Sequence, residues 1–321
     1  MEEPFFSIIM PAYNAERFLS EAIDSVLTQS FVDFELFVIN DGSIDTTADI
    51  CRQFSKKDLR IVFIDKSNEG VSVARNVALD KAKGQYVFFV DSDDVVYEDS
   101  LLKIHSFLKR TPVDYLRFEY EIIDGHGRML YPNYEASKRR RYEGKKMDSS
   151  RCIENLIRGE FFSWSGVFKR TIIEKNNLRF LPGCTYNEDT LFMMHYFMHS
   201  QTHVYVSDKV YGYRKSETAV TCRFTERNYR DVENVVKDLQ KIYYSQCQIE
   251  SKIIKKIIEG LCLRLFLERN VKLQVKNKIF DFCLKNPVTI EWQILSLIGT
   301  EFGMKFLPLL AIYKKIIRKI G

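Results

Sequence analysis

The sequence predicts an α/β fold, in which a mainly parallel central sheet is followed by a helical C-terminal region. Over the first hundred residues, apolar strand-like runs alternate strictly with segments of helical periodicity, which is the pattern of βαβ crossovers. Beyond Thr225 apolar residues recur only at helical spacing, as at Ile253, Ile254 and Ile257. We therefore expect an α/β domain in residues 1–225 and a helical region in residues 226–321.

Four strands and three helices are predicted in turn within residues 5–90. The strands are "FFSIIM", "FELFVIN", "RIVFID" and "YVFFV", each rich in β-branched and aromatic residues. The first helix follows from apolar residues at helical spacing between Phe18 and Leu27. The second begins in "DGSIDTTADICRQF" with Asp45 as its cap, and the third is "VSVARNVALDKAKG", ended by Gly84.

Polar residues follow each predicted strand, in "PAYNAE", "NDGS", "DKSNEG" and "DSDD". In a parallel sheet, ligands bind outside the carboxyl ends of the strands. The first strand is followed by neither G-x-G-x-x-G nor G-x-x-x-x-G-K, which excludes the two common glycine-rich phosphate cradles. The carboxylates Asp91, Asp93 and Asp94 form either a solvated turn with a helix cap or a site for Mg²⁺ or Mn²⁺, which could neutralise a bound phosphate.

Composition and charge limit the class of protein. The chain has 321 residues and a net charge of +5, too small for a basic nucleic-acid-binding domain. Its seven cysteines include no C-x-x-C pair, which argues against a disulfide framework and a zinc knuckle and favours a reducing compartment. With neither a signal peptide nor an apolar run of eighteen residues, the sequence predicts a cytoplasmic location.

Six motifs occur in a fixed order on these elements. They are "PAYN", "NDGS-x-D", "N-x-G-x-x-x-A-R-N", "DSDD", "YNEDTLF" (186–192) and "VYGYRKSETAVT" (210–221). In this respect residues 5–225 resemble the inverting family 2 glycosyltransferases of the GT-A fold, of the type that assembles bacterial polysaccharides. The resemblance implies a GT-A-type nucleotide-sugar-binding domain that uses Mn²⁺ or Mg²⁺.

The resemblance also implies roles for individual residues. Residues that would contact the donor are Pro11, Tyr13 and Asp41 at the base and ribose, Arg75 near the ribose and diphosphate, and Asp91 at the ribose or donor sugar. Asp93 would bind the metal, Asp189 would be the catalytic base, and Glu188 would shape the acceptor site. Some members of the fold complete the metal shell with a late histidine. This chain has none in "YGYRKSETAVT", so Arg214 or Ser216 would face the diphosphate instead.

The resemblance implies transfer from a UDP-sugar to a hydroxyl of a glycan or lipid-linked glycan during cell-surface polysaccharide synthesis. Two alternatives remain open at this point. Another metal-dependent nucleotide-using transferase would need an activating Lys or Arg in the first strand-helix loop, where Arg17 is a poor candidate. A non-catalytic nucleotide- or glycan-binding module would be expected to have lost Asp93 or Asp189, and both are present.

Three further features of the sequence can each be interpreted either as functional or as purely structural. Trp164 either stacks on an acceptor sugar or is a core residue. The histidines at 195, 199 and 203 have the spacing of a metal face, but no cysteine or carboxylate completes a zinc set. The basic run at 137–147 is either a solvated loop or a contact for acceptor phosphates or anionic lipid.

The C-terminal segment 309–321 reads as a basic amphipathic helix. Isoleucines and Tyr313 fall on one face, while Lys314, Lys315, Arg318 and Lys319 fall on the other. This pattern predicts an anchor at an anionic membrane surface, with packing on the protein or on a second subunit as the alternative.

Overall fold

The computed structural model describes residues 3–215, 225–245 and 247–267, and the chain divides into two compact units, Met1–Cys222 and Arg223–Gly321. The strands are β1 (Phe6–Ala12), β2 (Phe34–Asp41), β3 (Ile61–Lys66), β4 (Tyr86–Phe89), β5 (Val95–Val96), β6 (Tyr115–Ile123), β7 (Met129–Pro132), β8 (Gly166–Lys169) and β9 (His203–Arg214). The helices are α1 (Leu19–Leu27), α2 (Thr47–Lys57), α3 (Val71–Leu79), α4 (Ser100–Arg110), α5 (Ala136–Arg139), α6 (Ser149–Cys152), α7 (Arg170–Lys175), α8 (Glu188–His199), α9 (Glu226–Tyr244) and α10 (Ser251–Leu267). Short irregular turns of helix cover Arg140–Tyr142, Ile153–Ile157 and Ser163–Ser165.

The first half of the sheet is parallel, as the alternating pattern predicts. Its strands lie in the order β3-β2-β1-β4, and Ile8 of β1 stands opposite Leu36 of β2 and Phe88 of β4. All seven residues of β1 and all four of β4 are buried, which explains their continuous apolar character, because both faces of this sheet are covered. The α/β prediction is confirmed.

The second half of the sheet is mixed, which the strand pattern of the first hundred residues did not reveal. Strand β8 runs antiparallel to both β4 and β6, so β6 has the direction of β4. Strand β9 is parallel to β6, while β5 and the hairpin strand β7 are antiparallel additions. The carboxyl ends of β1, β2, β4, β6 and β9 therefore all point towards one edge of the sheet.

Helix α3 ends at Leu79, earlier than the predicted stop at Gly84. Gly84 has a different role, because a Cβ at this position would lie 2.3 Å from the backbone nitrogen of Ser7. The Gly84 backbone N–H instead donates to Ser7 Oγ (2.7 Å) as the chain enters β4. A close approach of two backbones, rather than a helix cap, accounts for this glycine.

In the second unit the described residues form α9 and α10, in agreement with the predicted helical region. A capping box begins α9: Thr225 Oγ1 accepts from the backbone N–H of Asn228, and Asn228 Oδ1 accepts from that of Thr225 (2.7 Å). Of the apolar residues predicted to follow helical spacing, Ile253, Ile254 and Ile258 are buried. None of the described helices has the length and apolar composition needed to cross a membrane.

Two sequence predictions fall on residues outside the described ranges. These are the basic amphipathic segment 309–321 and the proposed contact of Ser216 with a diphosphate. The boundary between domains at residues 225 and 226 also stays a prediction.

Candidate active site

The three carboxylates of the "DSDD" turn, which follows β4, have three different environments. Asp94 is buried and accepts hydrogen bonds from the backbone N–H of Arg214 (2.6 Å) and from Tyr211 Oη (2.8 Å). Burial, together with the charges of Asp93 and Asp91, raises the pKa of Asp94 well above its ordinary value. Asp94 therefore fastens the turn to β9 and is not available to a ligand.

Asp91 is paired with a buried arginine. Its Oδ1 accepts from Arg75 Nη2 (3.0 Å), and its backbone N–H donates to Tyr211 Oη (2.9 Å). Tyr211 thus bridges Asp91 and Asp94, and so fixes the shape of the turn between them.

Arg75 is the centre of a cluster of three carboxylates from two distant parts of the chain. Besides Asp91, its guanidinium donates through Nη1 to Glu188 Oε1 (3.1 Å) and to Asp189 Oδ1 (3.0 Å). The arginine is only 3% exposed and lies over the Phe180 ring. Burial opposes its charge, but the carboxylates of Asp189, Asp91 and Glu188 outweigh that effect and raise its pKa. The carboxylates of Asp91, Glu188 and Asp189 are therefore brought together around one cation, the Arg75 guanidinium.

Glu188 and Asp189 begin helix α8, after Asn187 in the left-handed region (φ 61°). The positive end of the helix dipole favours carboxylates at this position. Burial and the charge of Asp189 raise the pKa of Glu188 to about 7, with Arg75 opposing. Burial also raises the pKa of Asp189, but Arg75 and the backbone N–H of Ser163, which donates to Asp189 Oδ2 (3.2 Å), oppose the rise. Both acids of the pair therefore have raised pKa values, and Asp189 is the one that accepts hydrogen bonds from two donors.

Asp93 is the carboxylate of the turn for which no side-chain partner is described: unlike Asp91 it pairs with no cation, and unlike Asp94 it accepts no hydrogen bond from a neighbouring side chain. Burial, followed by the charge of Asp91, raises its pKa to about 6. Among the described residues, no group of three or more His, Cys, Asp or Glu could hold a metal ion by itself. A single unpaired carboxylate nevertheless fits Mg²⁺ or Mn²⁺, because Mg²⁺ is commonly bound by one or two carboxylates plus substrate phosphates and water.

The residues predicted to contact the base and ribose lie at the carboxyl ends of β1 and β2. Pro11 is buried within β1, and Tyr13, just beyond it, is 52% exposed. Asp41 is buried, and its carboxylate accepts from Lys66 Nζ (2.8 Å) and from the backbone N–H of Gly70 (2.8 Å). Asp41 thus joins the loop after β2 to the loop after β3, and its pairing with a base stays a prediction.

Arg214 is buried in an internal network. Its Nε donates to the carbonyl of Asp93 (2.7 Å) and its Nη1 to that of Asp124 (3.1 Å), while Nη2 pairs with Glu21 Oε2 (2.8 Å) over the ring of Phe18 (4.5 Å). In this structure it secures the turn that contains Asp93, and its contact with the diphosphate stays a prediction.

Trp164 is a core residue, so its assignment as an acceptor platform is corrected. It is 3% exposed and lies parallel to Tyr211 (4.7 Å), Phe162 (4.9 Å) and Tyr213 (5.3 Å), with the Tyr120 ring edge-on (4.8 Å). Because neighbouring aromatic rings cover the indole, a sugar has no access to it.

The histidine spacing does not mark a metal site either. His203 begins β9, where its buried ring is held by Ser200 Oγ (2.7 Å) and by the carbonyl of Met147 (3.0 Å). In the basic run, Arg139 is fully buried, whereas Arg140 and Arg141 are exposed. The run is therefore not uniformly a solvated loop.

Two contributors to the site were missed at the level of sequence. Tyr211 lies in the quoted "VYGYR" motif, which could have identified it, but only the structure shows the bridge between Asp91 and Asp94. Ser163 acts through its backbone N–H, which no side-chain pattern signals.

Comparisons with known proteins agree on one family. The family model described as Glycosyl transferase family 2 matches residues 7–172, just over half of the chain. The glycosyltransferase GlyA of Streptococcus pneumoniae is 30% identical over 228 residues, which are 69% of this chain but 32% of that protein, so the chain spans about a third of this relative.

Solved structures share the fold over nearly the whole chain. The structure of Staphylococcus aureus TarS 1-349 in complex with UDP-GlcNAc matches with a TM-score of 0.74 and 21% identity, covering 97% of this chain and 91% of that one. The Pyrobaculum calidifontis mannosyltransferase PcManGT in complex with GDP-Man and Mn²⁺ matches with a TM-score of 0.56 and 16% identity, covering 97% and 87%. At these identities the likeness shows a common GT-A-type fold.

Proposed function

Because the chain belongs to glycosyl transferase family 2, we propose that it is a metal-dependent inverting glycosyltransferase. It moves a sugar from a UDP-sugar to a hydroxyl of a glycan or lipid-linked glycan in cell-surface polysaccharide synthesis. One observation carries the proposal: Arg75 holds Asp189 and Asp91 together, although 98 positions separate the two acids in the sequence. The predicted base and the predicted metal-binding turn are thus joined in one site.

The donor assignment is supported by the open edge of the parallel sheet. The exposed ring of Tyr13 and the loops held by Asp41 border the place where a nucleotide binds in such sheets. The TarS structure contains UDP-GlcNAc, which supports a UDP-sugar as the donor.

Asp93 would hold the metal, with phosphate oxygens of the donor completing the coordination shell. A divalent cation bound there supplies positive charge that stabilises the departing diphosphate. Arg214 and Tyr211 keep the turn in place, since both fasten its acids or carbonyls to β9.

The reaction needs one proton acceptor. The acceptor oxygen attacks the anomeric carbon from the face opposite the diphosphate, and a new C–O bond forms as the bond to the phosphate oxygen breaks. The electron pair of the broken bond leaves with the diphosphate. Asp189 takes the hydroxyl proton, because hydrogen bonds from Arg75 and from the Ser163 N–H hold its carboxylate in place.

The test is release of nucleoside diphosphate from a panel of nucleotide-sugars in Mn²⁺, with and without chelator. We expect release from one UDP-sugar and none in chelator. A protein that binds UDP-sugars without releasing diphosphate would be a non-catalytic module, which would overturn the proposal.

The base assignment has its own test in Asp189→Asn. We expect donor affinity close to that of wild type and a kcat lower by about 100- to 10,000-fold, the usual contribution of a positioned base. Calorimetry with UDP gives the affinity, and single-turnover assays give the rate. If this variant loses donor binding while Glu188→Gln alone loses the chemical step, the two roles must be exchanged.

We also propose that segment 309–321 holds the enzyme at the cytoplasmic face of an anionic membrane, near a lipid-linked acceptor. The four cations of its basic face each contribute about 1 kcal/mol near such a surface. Deleting the segment should release the protein from anionic vesicles without changing hydrolysis of the donor. If the intact protein stays in the supernatant at low salt, the segment is a packing element.

A further inference from the structure

A cavity of about 670 Å³ lies beside β6 and β9, under the segment 133–140. Its volume falls within the range of small-ligand sites, roughly 300–1,000 Å³. None of the residues assigned above to the donor, the metal or the base lines it. It is therefore a separate feature of the first unit.

The wall of this cavity is held rigid by a buried ionic network. Glu119 lines the cavity and accepts from Arg139 Nε (2.7 Å), and Arg139 Nη1 donates to Glu160 Oε2 (2.8 Å). Arg117 Nη2 donates to the same oxygen of Glu160 (2.9 Å). Both arginines are fully buried, and breaking a buried ion pair is costly, so the network constrains this wall of the cavity.

The lining has the chemistry that binds a sugar or polyol. Tyr134 presents a ring that is 76% exposed, while Asn133 and Ser207 supply amide and hydroxyl groups. Tyr205 is fully buried, and its hydroxyl lies beside Glu119 without a well-aligned hydrogen bond. Aromatic faces with a few fixed polar groups are typical of sites for polar rings.

The charged side chains that line the cavity are two acids, Glu119 and Glu121, and two bases, Arg140 and Lys209, and Glu119 is already paired with Arg139. Lys209 pairs with Glu121, and Lys138, nearby, pairs with Glu135. Arg140 also lines the cavity but pairs with no described carboxylate. A free guanidinium binds carboxylate and phosphate groups through two parallel hydrogen bonds.

Contacts through this wall of the cavity connect it with the segment that contacts the proposed base, Asp189. Tyr120 lines the cavity, donates to Glu160 Oε1 (3.2 Å) and packs edge-on against Trp164 (4.8 Å). The segment that contains Glu160 and Trp164 also supplies the Ser163 N–H that binds Asp189. A ligand in the cavity would therefore lie on an element that also positions the chemistry.

We propose that this cavity binds an anionic sugar or polyol unit of the acceptor chain, at a distance from the hydroxyl that reacts. The inference rests on the proposed function, because only a transferase has an acceptor. Its recognition elements are the Arg140 guanidinium and the Tyr134 ring.

The experiment measures binding of three probes by calorimetry, with UDP present to fill the donor site. The probes are a hyaluronan tetrasaccharide, a glycerol phosphate oligomer and neutral chitotetraose. We expect at least one anionic probe to bind, and chitotetraose to bind more weakly. Arg140→Gln should raise the Kd of the anionic probe about tenfold, the effect of losing one charge-assisted contact at an accessible site.

Two further variants distinguish binding in this cavity from non-specific attraction of the anionic probe to surface charge. Tyr134→Ala, at an exposed ring, should also weaken binding. Arg141→Gln is the matched control, because Arg141 is the next residue, is exposed and does not line the cavity. The proposal is overturned if neither anionic probe binds at millimolar concentration, or if Arg141→Gln loses as much affinity as Arg140→Gln. It is also overturned if Arg140→Gln affects sedimentation with phosphatidylglycerol vesicles but not oligomer binding.

Release of diphosphate from the donor, measured on the same variants, keeps the two proposals apart. Normal release with probe affinity independent of Arg140 refutes the subsite alone. No release by any variant, including wild type, refutes the transferase, while the binding data still decide whether the cavity takes an anionic sugar or polyol.

Discussion

Replacing Asp93 by asparagine should stabilise the metal-free protein and at the same time abolish transfer. Burial and the Asp91 charge raise the pKa of Asp93 from 3.8 to about 6, so at pH 7.5 the folded protein holds an ionised carboxylate in an unfavourable place. Asparagine has nearly the same shape and carries no charge. It relieves that penalty but removes the metal ligand.

The size of the effect follows from the pKa. A rise of roughly two units corresponds to about 3 kcal/mol at most, and solvent screening at a half-buried group reduces this to about 1–2 kcal/mol. The sign of the pH dependence of stability follows from the fact that the pKa of Asp93 is higher in the folded than in the unfolded protein. Between pH 4 and 6 the folded state binds more protons, so the stability of the wild type falls as the pH rises. The curves of wild type and Asp93→Asn should therefore meet below pH 4 and separate above it.

The assay is urea unfolding in chelator at pH 4 and pH 7.5, followed by melting with UDP and Mn²⁺. We expect Asp93→Asn to be the more stable protein at pH 7.5 in chelator, and only the wild type to gain stability from Mn²⁺. Asp94→Asn is the matched control one residue away. Asp94 accepts two hydrogen bonds, so its variant should be less stable than wild type at pH 4, whereas at pH 7.5 the relief of its own raised pKa offsets part of that loss.

Two results would refute the reasoning. If Asp93→Asn is less stable than wild type at pH 7.5 in chelator, the carboxylate is paired in the folded protein and the turn is not strained by its charge. If the variant retains transfer, or gains as much stability from Mn²⁺ as wild type does, Asp93 is not the metal ligand.

Two further outcomes are expected of the carboxylate cluster. Glu188→Gln removes the acid whose pKa burial and the Asp189 charge raise to about 7, so an inflection of kcat/KM near that pH should disappear; a profile that keeps the inflection would exclude Glu188 as its source. Tyr211→Phe removes the hydroxyl that joins Asp94 to the backbone of Asp91, so urea unfolding should show a loss of about 1–3 kcal/mol together with weaker Mn²⁺ binding, and unchanged stability would show that the bridge is dispensable.

The alternation of apolar runs and helical periodicity along the chain was enough to predict the parallel half of the sheet. Each of its strands is a short apolar run next to an amphipathic helix, and the right-handed crossover rule leaves little freedom in how such units assemble. The order of motifs, through the resemblance to a known family, then singled out Asp93 and Asp189, whose roles stay predictions.

The second half of the sheet depends on pairings between distant segments. Strand β8 has only four residues and runs antiparallel between β4 and β6, which share one direction; no local pattern encodes this insertion. The same reason explains Trp164, whose covering rings come from β9, β6 and its own loop. The sequence around a large aromatic residue does not show whether its ring is exposed to a ligand or covered by other side chains.

The three carboxylates of the "DSDD" turn differ in the groups that they contact. Asp91 pairs with Arg75, the arginine that also holds the proposed base. Asp93 and Asp94 both have raised pKa values and no cation partner among the described residues, but they differ in their hydrogen bonds. Asp94 accepts from Tyr211 Oη and from the Arg214 backbone N–H, whereas no side-chain partner of Asp93 is described. An ionised Asp93 is therefore the carboxylate of the turn that gains most from a cation, which agrees with the proposal that a metal binds there together with the donor.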